Sequence, residues 1–199
     1  FHDGVFGTYQ IYVMDSDGSN QTRLTSNTHR DFEPDWSHDG NKIVFASSRD
    51  GNTNIYVMNS DGSLQSPLTS HIRSDGRPAW SPDGSVILFG SNRPVPSVSE
   101  AVWNVWSMKP DGSNLTVLTS GNNRDDDDPS WRPDGGKIGF SSNGLAGTLG
   151  WGYQMNPDGS NQVAITSEKN RYGQSWSPDG NKIVLNIDDD PYVIYTIDS

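Results

Sequence analysis

Trp80-Ser-Pro-Asp-Gly84 decides the fold, because the same stretch comes round four times. Its counterparts are Trp36-Ser-His-Asp-Gly40, Trp131-Arg-Pro-Asp-Gly135 and Trp176-Ser-Pro-Asp-Gly180, and the tryptophans stand 44, 51 and 45 residues apart. A second signature runs in phase with the first: Ile11-Tyr-Val-Met14, Ile55-Tyr-Val-Met58, Val105-Trp-Ser-Met108, Tyr153-Gln-Met155 and Ile194-Tyr-Thr-Ile197. The first four are each followed by Asp-Gly, at 17–18, 61–62, 111–112 and 158–159. Short strand-like runs at this period mark propeller blades. The fold expected is therefore all-β, a β-propeller of four-stranded antiparallel blades. The chain holds four to five of them and is open to being part of a six-bladed parent.

The unit around Trp36 shows how one blade is written. Pro34-Asp-Trp36 reads as a short innermost strand, and Ser37-His-Asp-Gly40 as its turn. Lys42-Ile-Val-Phe-Ala-Ser47 is an apolar run of the kind a doubly buried strand needs. Arg49-Asp-Gly-Asn52 turns into Asn54-Ile-Tyr-Val-Met58, and Asn59-Ser-Asp-Gly62 turns into Gln65-Ser-Pro-Leu-Thr69. Pro67 suits an outer edge strand, where no ladder hydrogen bond is lost. The expected division is one propeller domain over 1–199, with a partial blade at 1–25, blades near 30–69, 74–119 and 125–166, and a partial blade at 171–199. Arg93 to Ala101, with two prolines, reads as a stiff inserted loop. The ends are out of step: the leading piece brings third- and fourth-type strands where one strand is missing. An open strand edge, and pairing with a further copy through it, is the expectation. A first residue Phe1 points to a processed, trimmed or partial chain.

The 199 residues include no cysteine, 25 acids against 14 Lys and Arg, and a net charge of −11. A chain of this length buries enough surface to dispense with disulfides. Its acidity argues against nucleic acid and against anionic membranes as partners. No stretch of about 18 apolar residues exists to span a bilayer.

Function is expected in what breaks the repeat, since a shared fold names no activity. Five residues before each repeated tryptophan stand Asp31, Asp75, Asp126 and Arg171; three before stand Glu33, Arg77, Asp128 and Gly173. Asp125-Asp-Asp-Asp128 is the densest charge cluster. In a propeller these loops converge on one mouth of the central channel. The candidate binding residues are thus Asp31, Glu33, Asp75, Arg77, Asp126, Asp127, Asp128 and Arg171, for a protein or glycan partner. Carboxylates there are open to Ca²⁺, which wants six to eight oxygens, or to a plain turn-shaping role. No other cofactor is expected. Asp15-Ser-Asp-Gly-Ser-Asn20 looks faintly like a calcium loop, but a hairpin turn accounts for it and its repeats. Asn20 and Asn114 head N-x-Thr sequons in equivalent turns. No catalytic set is legible: no metal-ligand histidine spacing, no Gly-x-Ser-x-Gly elbow and no thiol. His29 and His71 are the best histidines available for a metal. The four repeated tryptophans are expected in the core between blades.

These motifs resemble the TolB-type, or PD40, propeller repeat. The resemblance rests on Trp80-Ser-Pro-Asp-Gly84, Lys42-Ile-Val-Phe45, Arg49-Asp-Gly51, Ile11-Tyr-Val-Met-Asp15, Asp17-Gly-Ser-Asn20 and Leu24-Thr25, and covers about residues 9 to 198. It implies six or seven blades in a whole propeller and an extracytoplasmic location, periplasmic or secreted. TolB itself adds an α/β domain that this sequence does not carry. The family also takes in oligogalacturonate lyases. The expectation is a non-catalytic binding module, with filament-like self-assembly and a lyase-like polysaccharide enzyme as alternatives.

Overall fold

The computed structural model describes residues 9–96, 102–120, 124–144, 148–165, 170–187 and 193–198, and every helix-or-strand element among them is a β-strand. A ribbon of β1 (Tyr12–Val13) and β2 (Thr22–Arg23) leads. β3 (Asp31–Trp36), β4 (Lys42–Ser47), β5 (Asn54–Asn59) and β6 (Ser66–Pro67) form the first antiparallel four-stranded sheet. β7 (Asp75–Trp80), β8 (Ile87–Ser91), β9 (Asn104–Met108) and β10 (Thr116–Val117) form the second. The third holds β11 (Asp125–Trp131), β12 (Ile138–Gly144), β13 (Thr148–Met155) and β14 (Val163–Ala164). The last is β15 (Asn170–Trp176), β16 (Lys182–Ile187) and β17 (Val193–Asp198), tied to the third by the single pair Gly150↔Asn170. The first strands β3, β7, β11 and β15 lie against one another in sequence order and line the inside.

Each repeated motif has a mechanical reason. Ser37 donates its hydroxyl to Asp39 Oδ1 at 2.6 Å and accepts the Lys42 N–H at 2.9 Å, while Gly40 takes φ 68°. The same clasp closes at Ser81 with Asp83 and at Ser177 with Asp179; in the third unit Arg132 replaces the serine and reaches Asp134 Oδ2 at 2.7 Å. The Leu-Thr ending is explained by Thr25, Thr69 and Thr119. Their hydroxyls accept the N–H of Ile11, Ile55 and Val105 at 2.9–3.0 Å and tie the outer strand to the third.

The Asp-Gly-Ser-Asn turns contact the preceding sheet. A Cβ on Gly62, Gly112 or Gly159 would stand 2.6–2.7 Å from the carbonyl oxygen of Leu24, Leu68 or Leu118, so these positions require glycine for space as well as for positive φ. Two residues on, Asn20, Asn114 and Asn161 take φ between 52° and 58°, and so does Leu64 at 54°. Asparagine tolerates the left-handed region at lower cost than leucine. Leu64 is 76% exposed and packs little. Leu64→Asn should therefore stabilise the chain by about 1 kcal/mol. A denaturant midpoint that fails to rise would contradict this.

The core is laid down between sheets. Val44 and Ile55 of the first sheet pack with Trp80, Ile87, Phe89 and Met108 of the second. Leu88, Val105 and Leu118 of the second pack with Ile138, Phe140 and Met155 of the third. Trp80 and Trp176 are 9% exposed, and Trp131 packs half-buried on its cluster. The expectation for Trp36 needs correction: it is 45% exposed. A repeated indole packs on the second strand of the sheet before it, as Trp80 does on Val44. Ahead of Trp36 the described residues place only the third- and fourth-type strands β1 and β2.

Candidate functional site: the bulged inner strands

The four inner strands are all bent near one repeat position, β15 between Asn170 and Gln174. In the other three, register shifts fall between Phe32 and Asp35, Gly76 and Ala79, and Asp127 and Ser130. At these three bulges stand Glu33, Arg77 and Asp128, with φ of 53°, 52° and 53°. Each precedes a proline, Pro34, Pro78 or Pro129. A left-handed conformation costs a non-glycine residue about 1–2 kcal/mol. Such strain persists only where the surroundings over-determine it, and it gathers at functional sites. A bulge also re-aims a side chain. Here it turns Glu33, Arg77 and Asp128 onto one cavity of about 480 Å³, walled by the three prolines and by Asp35, Trp131 and Gln174.

Arg77 is the hub. Its Nε lies 2.7 Å from Asp128 Oδ1 and 3.8 Å from Glu33 Oε1, and its Nη1 pairs with Asp127 Oδ2. Its main-chain N–H donates to Glu33 Oε2 at 2.8 Å. One arginine of the second sheet thus joins acids of the first and third. Asp35 adds a further tie by accepting the Trp80 N–H at 2.7 Å. A side pocket of about 240 Å³ lies behind Arg77, between Trp103 and Asp125. Gly90 makes room for Asp127: a Cβ there would collide with its carboxylate.

The sequence-derived candidates divide into two groups. Glu33, Arg77, Asp127 and Asp128 meet in the cluster just described. Asp31, Asp75 and Asp126 are fully buried behind it, so a ligand at the mouth does not reach them in this conformation. Asp31 accepts from Ser47 Oγ at 2.6 Å and pairs with Arg49 at 3.0 Å. Asp75 takes both arms of Arg93, at 3.1 and 2.6 Å. Each of the three also donates its main-chain N–H to the preceding sheet, to Tyr9, Thr53 or Trp103. The side chain of Arg171 lies outside the described residues. So do residues 97–101 of the expected inserted loop.

Arg49 and Arg93 were the residues sequence reasoning missed. The signal was available, since Ser47-Ser-Arg49 and Ser91-Asn-Arg93 align when the blades are superposed. Arg93 looked like the start of an insertion, yet it is 8% exposed and structural. Both arginines also lie over rings: Arg49 is 4.4 Å from the Tyr56 centroid, and Arg93 is 5.6 Å from that of Phe89. Tyr56, hydrogen-bonded to Asp50, has its phenol pushed up to about 12, by burial first and then by that carboxylate.

Among the described residues no group of three His, Cys, Asp or Glu side chains is arranged to hold a metal. At the mouth the guanidinium of Arg77 stands among the acids. His71 Nδ1 accepts the Arg73 N–H at 3.0 Å, and His29 is exposed in the preceding loop. In the calcium-like turn, Asp15 Oδ2 accepts from Asn20 at 2.7 Å and Asp17 Oδ1 accepts the Ser19 N–H at 2.9 Å, which is hairpin chemistry. The sequon residues Asn20 and Asn114 are exposed.

The carboxylates of the two ends titrate in opposite directions. Burial raises Glu33 and Asp35 above their ordinary values of 4.5 and 3.8. Hydrogen bonds from Ser37 and Ser81, ahead of their other donors, hold Asp39 and Asp83 down at about 2. A raised carboxylate binds its proton more tightly when folded, so stability falls as pH climbs through the raised value. A lowered one contributes above 3.8 and loses that contribution as pH falls toward 2. Stability should therefore peak on the acid side of neutrality, between these two windows. Glu33 keeps 36% of its side chain in solvent and contributes less than half-buried Asp35. Asp35→Asn keeps an oxygen for the Trp80 N–H, so it should raise the melting temperature at pH 7 and leave it unchanged near pH 3. Equal shifts at both values would exclude this cause.

Sheets in this order, packed face to face around bulged inner strands, define a β-propeller. Residues 4–122 match the family described as TolB beta propeller domain, and the chain belongs to that family. Its fold is similar to TolB from Acinetobacter baumannii, at 22% identity and TM-score 0.80, over 96% of this chain and 46% of that one. A putative TolB from Agrobacterium tumefaciens aligns at 22% identity and TM-score 0.79, over 94% and 69%. An oligogalacturonate lyase from Vibrio parahaemolyticus aligns at 16% and TM-score 0.68, over 98% and 57%. The chain thus spans about half the length of the Acinetobacter protein. No protein of curated function matches it in sequence.

Proposed function

We propose that this TolB-like propeller is a non-catalytic, extracytoplasmic binding module that takes a protein or glycan at the mouth framed by its inner strands. One observation carries the reading. Three successive blades hold a different charged residue, Glu33, Arg77 or Asp128, in the same strained conformation beside one cavity, while the rest of the repeat stays regular. The location rests on the TolB likeness. To test it, the immobilised chain is challenged with a periplasmic extract and a panel of neutral glycans. Whatever it retains should be released when Glu33→Gln, Arg77→Gln and Asp128→Asn are combined; undiminished retention would sink the reading.

Self-assembly is a second reading, favoured by one fact. Among the described residues β17 ends its sheet beside β16, and an edge strand is where another chain would add. Sedimentation decides it: growth of larger species with concentration supports assembly, and one monomeric boundary at high concentration rejects it.

A further inference from the structure

A second cleft, of about 490 Å³, adjoins the mouth cavity at the turns that follow the inner strands and shares Pro82 and Trp131 with it. The turns of three blades build it. Pro82, Val86 and Trp131 form a half-buried floor, Pro133 and Pro157 are exposed walls, and the carboxylates of Asp83 and Asp134 stand exposed beside them. His38, Ser81 and Ser85 add polar groups to the same wall. The Trp131 Nε1–H is buried without a hydrogen-bond partner.

Charge sets what would fit. Asp83 Oδ1 accepts from Ser81 and Ser85, and Oδ2 accepts from Ser85 at 2.8 Å. Asp134 Oδ1 accepts the Gly136 N–H, and Oδ2 meets Arg132 at 2.7 Å. A carboxylate has about four lone-pair sites, so both retain acceptor capacity on the solvent side. Asp39 and Asp179 stand at the equivalent positions of the neighbouring turns, and all four carboxyls are held below the ordinary 3.8 by hydrogen bonds from their own turns. Apolar walls flanked by fixed carboxylates complement a lysine, whose four-carbon stem lies along apolar surface while its ammonium stays in a polar setting.

We infer that the cleft between the Pro82 and Pro133 turns is a docking site for a lysine-bearing segment of a partner protein. The test uses the folded chain, ¹⁵N-labelled, at about 0.15 M salt, where distant charges are screened. The probe is a capped Gly-Lys-Gly-Lys-Gly peptide, with Gly-Glu-Gly-Glu-Gly as its control. Saturable shifts are expected at Ser85, Gly135 and the Trp131 indole with the lysine peptide alone. Asp83→Asn with Asp134→Asn keeps one acceptor oxygen in each turn and should weaken binding about tenfold. Asp61→Asn with Asp111→Asn removes equal charge from turns outside the cleft and should change affinity less than about twofold. Pro157→Lys leaves the turn clasps intact, and serine already stands at the matching positions 16 and 60. It should abolish the shifts. Equal weakening by both asparagine pairs would reduce the effect to the general field of an acidic chain. Absence of shifts in the cleft, or unchanged affinity in Pro157→Lys, would overturn the proposal. Asp83, Asp134 and Pro157 do not line the mouth cavity, so the variant arms are read separately from binding there.

Discussion

Replacing Arg93 with methionine should cost the fold about 3–5 kcal/mol, the usual penalty for stranding one charge of a buried pair. The side chains of Arg93 and Asp75 are 9% and 0% exposed, and the two groups share a two-armed contact. Removal of the guanidinium leaves Asp75 charged with little water to solvate it. The pair itself is a different matter. Two ions are dehydrated to form it, so replacing both with neutral groups should recover most of the loss. The measurement is a double-mutant cycle in denaturant with Arg93→Met, Asp75→Asn and the two combined. If the combined variant were as unstable as Arg93→Met alone, stranded charge would not be the cause. Arg49 and Asp31 repeat the arrangement with the arginine 20% exposed, and the same substitution there should cost less. The third blade has Gly144 where the arginine would fall.

Phe89→Ala should remove a similar amount, about 3–5 kcal/mol, by opening a cavity in the tightest part of the core. Phe89 has no exposure and packs with Val44 and Ile55 of one sheet and Trp80 and Met108 of its own. The void therefore lies between blades. Loss of contact there should loosen Trp80, so its fluorescence should shift to the red before global unfolding in the variant and together with it in the parent. A loss below about 1.5 kcal/mol would mean that the sheets close over the gap.

The repeat made most of this architecture legible. Trp-Ser-Pro-Asp-Gly, Ile-Tyr-Val-Met and Leu-Thr each map onto a local device: a clasped turn, a buried third strand and a threonine tie. Such devices depend on residues a few places apart, so a linear pattern records them. What stayed hidden depends on neighbours in space. Asp31, Asp75 and Asp126 looked like mouth residues because they lie in charged loops, yet the first two serve arginines 18 residues further on. The bulge at Glu33, Arg77 and Asp128 was invisible because nothing in Glu-Pro, Arg-Pro or Asp-Pro announces a left-handed residue; a residue before proline ordinarily favours extended backbone. The exposure of Trp36 depends on what lies in front of it, which its own motif cannot report.

The bulge has a consequence for how such proteins diversify. Glutamate, arginine and aspartate adopt nearly the same φ at one site in three successive blades, so the main chain there is indifferent to which of these side chains it carries. The energetic penalty is set by geometry; it is smaller for Asn and Asp and larger for β-branched residues. New chemistries can be exchanged at this spot without renegotiating the scaffold, which makes it a natural point of evolvability and the first place to randomise in a selection for altered ligands.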